Sequence, residues 1–313
     1  MRFRFTPFFA AAVLALGVSN SANAADKLKT IASFSILADM VKNVGGDRVE
    51  VTELVGTDGD AHEFNPTPAD AKKLARADVF FVNGLGFEGW MERLESSSGF
   101  KGATVVATTG VKARKMDEDD DHDHDDDHDD HAKGEDHGDM DPHAWQDLAN
   151  GEIYVANIRD GLIAADPDGK AVYERNAEKY IAAVKKEDAA VKAALASLPQ
   201  SHRRIITSHD AFGYFGDAYG LEIFAPEGIS TASEPSAKDV ATIIRQIRED
   251  QIPAVFLENI TNAKMLEQIA KESGAKIGGT LYSDALSGKD GPAPTYLDMF
   301  KHNVGTLTSA LSS

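Results

Sequence analysis

Apolar and polar positions alternate in short runs along the chain, and between those runs the apolar spacing becomes helical. Leu28–Leu37 (LKTIASFSIL), Arg48–Val55, Asp78–Gly84 and Ala103–Thr109 read as strands. Ala38–Gly46, Pro68–Ala77 and Phe87–Ser97 read as the helices between them. Gly45-Gly46 stops the first helix and Pro68 opens the second. The second half repeats the style. Arg203–Ser208, Leu221–Glu227, Pro253–Asn259 and Lys276–Ser283 read as strands; Asp210–Gly220, Ser236–Asp250, Asn262–Gly274 and Thr295–Leu311 read as helices. In Ser236–Asp250 a serine stands at the cap, and Val240, Ile243, Ile244 and Ile247 recur at helical spacing. Strands alternating with helices predict parallel βαβ units and an α/β fold.

Between the halves, Asp166–Pro199 is almost entirely good helix formers, opened by Asp-Pro and closed by Pro199. About 30 helical residues make a rod of roughly 45 Å, longer than a crossover within either half requires. The pattern predicts two lobes, each a mostly parallel β-sheet flanked by helices. One long rigid helix joins them. The boundaries fall at 25–165 for the first lobe, 166–198 for the linker helix and 199–313 for the second.

The first 24 residues stand apart. Arg2 and Arg4 precede an apolar stretch reaching about Val18, and Ala22-Asn23-Ala24 follows. This is the layout of a cleaved signal peptide, and the run is shorter than the ~20 residues a membrane span needs. The expected mature chain begins at Ala25 and is periplasmic. The chain has no Cys, so neither a lipidated cysteine nor a thiolate metal site is expected.

Charge is concentrated in one place. Asp117–Asp141 holds 15 acidic side chains against a single lysine, which is −14 of the formal −19. The rest of the chain is only mildly acidic. Nothing here resembles the clustered Lys and Arg of a nucleic-acid binder. A block of like charge reads as a solvated, disordered loop. Interleaved His122, His124, His128, His131 and His137 make it a candidate low-affinity metal-collecting segment as well.

The remaining histidines are His62, His143, His202, His209 and His302. A single histidine in a turn is usually a surface or hydrogen-bonding residue, and His202 and His302 are read that way. The others differ in placement. His62 follows the strand ending at Val55, His209 directly follows the strand to Ser208, and Asp284 directly follows the strand to Ser283. His143 ends the acidic tract. Ligands of open α/β sheets bind past the carboxyl ends of strands. Two lobes facing each other there bring together three imidazoles and a carboxylate, a set suited to tetrahedral Zn²⁺. A coordinating imidazole must be neutral, so affinity is expected to fall as pH drops through about 6.5. Ala225–Asp239, rich in Ser, Gly and Pro, is a second candidate mobile element that would close over the site.

At this point a resemblance emerges. The segments ASFSILADMVKNVGGDRVEV, DAHEFNPTPADAKKLARADVFFVNGLGFEGWMERL, DPHAW, SHDAFGYF and TLYSDALS occur in order across the mature chain, with the His/Asp tract before DPHAW. Together they resemble the ZnuA-like zinc solute-binding proteins of ABC importers. The resemblance implies two α/β lobes, a long connecting helix, one metal site in the cleft and no catalytic turnover. It places the ligands on His62, His143, His209 and Asp284. Manganese members carry Glu where this chain has His209, so the resemblance implies zinc. Several zinc members have a carboxylate immediately before the first histidine; here that position is Ala61, with Asp60 one residue earlier, which favours Asp284 as the fourth ligand over Asp60 or Glu63. The pattern is similar to the AztC-like subgroup. Implied partners are an inner-membrane permease and a periplasmic zinc metallochaperone, with the protein acting as a monomer.

Two other functions compete. A zinc hydrolase would need an open coordination position and a general base. Neither H-E-x-x-H nor G-x-S-x-G occurs, and His62-Glu63 lacks a second histidine at helical spacing. A zinc-storing or adhesin-type binder without transport has the same sequence features as an importer component.

Overall fold

The run VFFV, without polar interruption, becomes an interior strand, because a parallel sheet is covered on both faces. In the computed structural model, which describes residues 26–115, 140–233 and 235–312, β3 (Val79–Val82) is buried at every position. It lies between β1 (Leu28–Phe34) and β4 (Ala103–Val106), with β2 (Val49–Val55) on the far side of β1. All pairs are parallel, in the order β2-β1-β3-β4. The second sheet repeats this plan. β5 (Arg204–Ile206), β6 (Glu222–Phe224), β7 (Ala254–Glu258) and β8 (Lys276–Leu281) run parallel in the order β6-β5-β7-β8. In each sheet the winding reverses between the two central strands. That leaves a crevice at their carboxyl ends, beside Phe34 and Val82 in one sheet and Ile206 and Glu258 in the other.

Nine helices of the described residues flank these sheets: α1 (Ser35–Gly45), α2 (Pro68–Leu74), α3 (Met91–Ser98), α4 (Leu148–Ala165), α5 (Lys170–Ala196), α6 (Gly213–Tyr219), α7 (Ala237–Glu249), α8 (Ala263–Ser273) and α9 (Tyr296–Leu311). Local chemistry sets several starts. Thr67 with Asp70 and Ser236 with Asp239 form reciprocal capping boxes at α2 and α7, and Pro68 occupies the first turn of α2. Gly274 ends α8 at φ 85°, a left-handed conformation that favours glycine.

Three expectations are corrected. The first strand stops at Phe34, because Ser35–Leu37 already belong to α1; strand and helix join without turn residues to mark the change. The first residues expected in a helix from Phe87 instead form a turn that buries Phe87, Glu88 and Trp90, and α3 begins only at Met91. Met140 and Asp141 are not part of a solvated loop. Met140 bridges to Lys115, and Asp141 is buried and donates its N–H to the Arg114 carbonyl at 2.9 Å. The rest of the acidic tract, with His122, His124, His128, His131 and His137, lies outside the described residues, as does the N-terminal segment through 25.

The linker helix also differs from a bare bridge. α5 starts after a short 3₁₀ turn at Pro167–Gly169 and has 27 residues, about 40 Å of rod. It buries Tyr173, Ala177, Tyr180, Val184, Val191 and Leu195 against α4, α1, α6 and α9. α4 was not anticipated, although its buried Leu148, Gly151, Tyr154, Val155, Ile158 and Leu162 follow helical spacing and Asp147 caps it. One continuous core therefore runs from the first sheet through α4 and α5 to α6 and α9, and a smaller one lies between the second sheet and α7 and α8. No helix among the described residues is long and apolar enough to cross a membrane.

Candidate metal centre

Each of the four residues is held by its own loop. His62 lies in the loop after β2. Its N–H donates to Asp60 Oδ1 at 2.8 Å, the neighbouring Ala61 carbonyl accepts from Trp90 Nε1 at 2.9 Å, and its ring meets Phe87 edge-on at 4.9 Å. His143 opens a short 3₁₀ turn ahead of α4. The Pro142 carbonyl before it accepts from Asn83 Nδ2 at 2.9 Å, and Asn83 Oδ1 in turn accepts from Tyr154 at 2.5 Å. His209 follows β5. Asp284 follows β8, where the Ser283 carbonyl accepts from both Trp145 Nε1 and Gln146 Nε2, at 3.0 and 2.7 Å. The segment carrying His143 thus fixes the segment carrying Asp284.

These loops bring the four side chains together. Asp284 Oδ2 lies 3.2 Å from His209 Nε2, 3.3 Å from His62 Nε2 and 3.6 Å from His143 Nε2. His62 and His143 approach each other at 3.3 Å through their Nε2 atoms. All four ligand atoms lie within 4.8 Å of one another, the only such group among the described residues. His143, His209 and Asp284 are fully buried; His62 is the side with some solvent access.

Two further carboxylates stand behind the rings. Asp141 Oδ1 lies 2.8 Å from His143 Nδ1 and accepts the His143 N–H at 2.9 Å. Glu258, the last residue of β7, places Oε2 2.7 Å from His209 Nδ1, off the line of a regular hydrogen bond. Its Oε1 accepts the N–H groups of Ser208 and His209 at 2.7 and 2.9 Å. Sequence reading missed both residues. The signal for Glu258 was present: an acidic side chain ends the otherwise apolar run AVFLE. A third missed residue is Glu88, which accepts from Ser33 Oγ and the N–H groups of Asn83 and Gly84 at the crevice of the first sheet. Burial pushes its pKa up despite those donors.

The electrostatics call for a cation. Burial by itself would hold His143 neutral, but Asp284 and Asp141 outweigh it and carry its pKa to about 9. His209 is treated likewise: burial lowers its pKa, and Glu258 with Asp284 raises it well above the usual imidazole range. Burial raises Asp284, and the facing imidazoles overcome this and hold it well below the usual carboxylate range. Both Asp284 oxygens lack a regular hydrogen-bond donor among the described residues. A carboxylate buried without compensation costs several kcal/mol. Protons on the imidazoles, or one divalent cation among all four groups, supply that compensation.

Asp60 and Glu63 lie outside this group. Asp60 accepts from His62 N–H and, through Oδ2, from Thr231 Oγ1 at 2.6 Å; Glu63 is exposed. The Thr231 contact lays part of the Ala225–Asp239 segment against the His62 loop. His202 and His302 bond to backbone carbonyls of Leu311 and Thr280, as read from sequence.

The family profile described as "ZnuA: Zinc-uptake complex component A periplasmic" matches residues 31–310. The manganese-binding lipoprotein MntA of Halalkalibacterium halodurans is 34% identical over 285 residues, covering 91% of this chain and 89% of that protein. The iron-binding protein YfeA of Yersinia pestis is 33% identical over 293 residues, covering 94% and 89%. Among solved structures, the periplasmic zinc-binding protein TroA from Treponema pallidum superposes with a TM-score of 0.81 at 29% identity, covering 91% of this chain and 99% of that one. An Mn-bound S38A mutant of a periplasmic metal-binding protein from Candidatus Liberibacter asiaticus gives 0.79 at 32%, covering 91% and 100%. These relatives are binding proteins rather than enzymes, which removes the hydrolase alternative. With its two parallel four-stranded sheets, its long helix and its buried three-histidine, one-aspartate cluster, the chain belongs to the ZnuA family of periplasmic metal-binding proteins that serve ABC importers.

Proposed function

We propose that this protein captures Zn²⁺ in the periplasm, through His62, His143, His209 and Asp284, and delivers it to an inner-membrane ABC importer. The observation that carries the metal assignment is the spacing of the donor atoms. At a Zn–N bond of about 2.0–2.1 Å, a tetrahedron has edges of roughly 3.3 Å. Four of the six ligand-atom separations here are 3.2, 3.3, 3.3 and 3.6 Å, and all six lie within 4.8 Å. Relatives named for manganese and iron make those metals the second reading. Three imidazoles against one carboxylate favour zinc, because manganese prefers oxygen ligands. The signal-like N-terminus and the absence of Cys support export by a cleaved signal peptide rather than a lipid anchor. The boundaries 25–165, 166–198 and 199–313 serve as the working domain division.

The test is growth under zinc limitation. A strain lacking the gene should grow poorly in chelator and recover with added zinc but not manganese. The wild-type gene should restore growth, and the His209→Ala gene should not. Equal rescue by both genes would contradict transport through this site, and rescue by manganese alone would favour the second reading. A storage protein without transport would leave zinc uptake rates unchanged on deletion.

The acidic histidine tract has a separate role in this proposal: weak zinc collection, or docking of a zinc-donating metallochaperone. Deleting 117–139 is expected to leave one tight site, because Lys115 and Met140 already meet and Asp141 is anchored by Arg114. Weakly bound zinc should drop to about zero, since the five histidines of the tract go with it. Titration of both proteins against a chelator reads both quantities. Equal stoichiometry would show that the tract collects nothing, and loss of the tight site would place tract residues in the primary shell.

A further inference from the structure

Outside the four proposed ligands, two buried carboxylates stand behind the ligand rings, Asp141 and Glu258, and Glu258 is the one with no cation of its own among the described residues. It ends β7 at the crevice of the second sheet, beside β5, whose continuation carries His209. Its two oxygens do different things. Oε1 collects the consecutive N–H groups of Ser208 and His209, which fixes the backbone at the point where the chain leaves β5. Oε2 stands 2.7 Å from His209 Nδ1 and has no other partner among the described residues.

We propose that Glu258 is the positioning residue that makes His209 a metal ligand by holding its proton on Nδ1. This rests on the reading that His209 binds the metal. A neutral imidazole carries one proton, on one nitrogen or the other. A carboxylate accepts and never donates, so Oε2 is satisfied only when Nδ1 bears the hydrogen. Nε2 is then left with its lone pair directed at Asp284 Oδ2 and the other imidazole nitrogens, where the metal would sit. The negative charge behind the ring also makes Nε2 a stronger donor, the general effect of a carboxylate hydrogen-bonded to a metal-bound histidine. Asp141 hydrogen-bonds His143 Nδ1 at 2.8 Å, and Glu258 Oε2 stands 2.7 Å behind His209 Nδ1 but off the hydrogen-bond line, so the two fully buried imidazoles each have a carboxylate behind them, one from each half of the chain. The Asp141 carboxylate also has Arg114 Nη1 at 3.6 Å. Among the described residues, Glu258 Oε2 has only the ring beside it.

Glu258→Gln separates this role from mere filling. The amide has the same shape but cannot satisfy both sides. If its oxygen accepts from the backbone N–H groups, its NH₂ faces Nδ1, draws the lone pair there and puts the ring hydrogen on Nε2, against the metal. If it turns over, the NH₂ meets two backbone donors. Either arrangement works against His209 as a ligand.

The experiment measures zinc affinity by chelator competition, and the visible spectrum with Co²⁺, for the wild type, E258Q, H209A and the double variant. E258Q is expected to bind zinc about 10–100-fold more weakly. Its cobalt spectrum should resemble that of H209A, and E258Q should add no further loss in the H209A background. An E258Q protein within threefold of the wild type, with a wild-type cobalt spectrum, would overturn the proposal. So would a loss that simply adds to that of H209A, which is what a structural role predicts. Wild-type affinity in H209A would instead remove the reading of His209 as a ligand. Should E258Q fail to fold, E258D takes its place: a smaller loss that vanishes in the H209A background is expected, and unchanged affinity or an additive loss overturns the proposal.

Discussion

Replacing His143 by alanine should abolish tight zinc binding while leaving the fold intact. His143 is the most firmly held of the four groups. Asp141 fixes both its N–H and its ring, and the Asn83–Pro142 contact fixes its approach. The ring therefore reaches the site without further loss of side-chain freedom, and removing it forfeits the whole interaction. Four-ligand zinc sites bind with about 10–16 kcal/mol, so one ligand is worth about 2.5–4 kcal/mol, or roughly 60- to 700-fold in affinity. His62→Ala and His209→Ala should fall in the same range. Circular dichroism guards against misfolding, and chelator competition gives the affinity. Three variants all binding within threefold of the wild type would remove the ligand assignment.

The second large effect is pH. Zinc affinity should rise steeply from pH 6 to 8, by about 100-fold per unit if two protons are displaced. The sign follows from the shifts. His143 has a pKa raised to about 9 and His209 one well above the usual imidazole value, so both carry protons in the metal-free site at neutral pH. Zinc must expel them, which becomes easier as pH rises. An ordinary imidazole would confine the fall to the region below about pH 6.5. The facing carboxylates extend it upward. In the metal-free protein the same pairs work in the opposite sense: their stabilisation is fully present below about pH 6.5 and fades as pH rises through about 9. Opposite pH trends for metal affinity and metal-free thermal stability are thus expected from one set of residues. A flat zinc affinity between pH 6 and 8 would contradict this.

Both predictions concern residues that the sequence already singled out. His62, His209 and Asp284 were legible because they follow strands, and ligands collect at the carboxyl ends of parallel strands. His143 was legible from its neighbours in DPHAW. The supporting carboxylates were not, for a physical reason. Glu258 and Asp141 do their work through contacts with residues brought near by folding, and a single acidic side chain at a strand end looks the same whether it faces water or a ring. Asp141 was also hidden by company, since it ends a run of similar residues whose charge dominates any reading of composition. Apart from α4, the strand-helix order of both halves followed from periodicity, whereas the seam at Phe34–Ser35 did not. There the chain turns straight from strand to helix with no glycine, proline or polar cap to mark it. α4 was overlooked because Gly151 and β-branched Ile153, Val155 and Ile158 weaken its helical character, and its packing against α5 compensates for that.

Equilibrium competition tests whether the cluster of three histidines and one aspartate selects zinc. The mature protein, stripped by chelation and with residues 117–139 deleted, is dialysed against equal free concentrations of Zn²⁺, Mn²⁺ and Fe²⁺ at pH 7.5. Its metal content is then measured. The donor set and its spacing predict about one zinc per chain, with manganese and iron near zero. Retention of manganese or iron in place of zinc would contradict zinc selection.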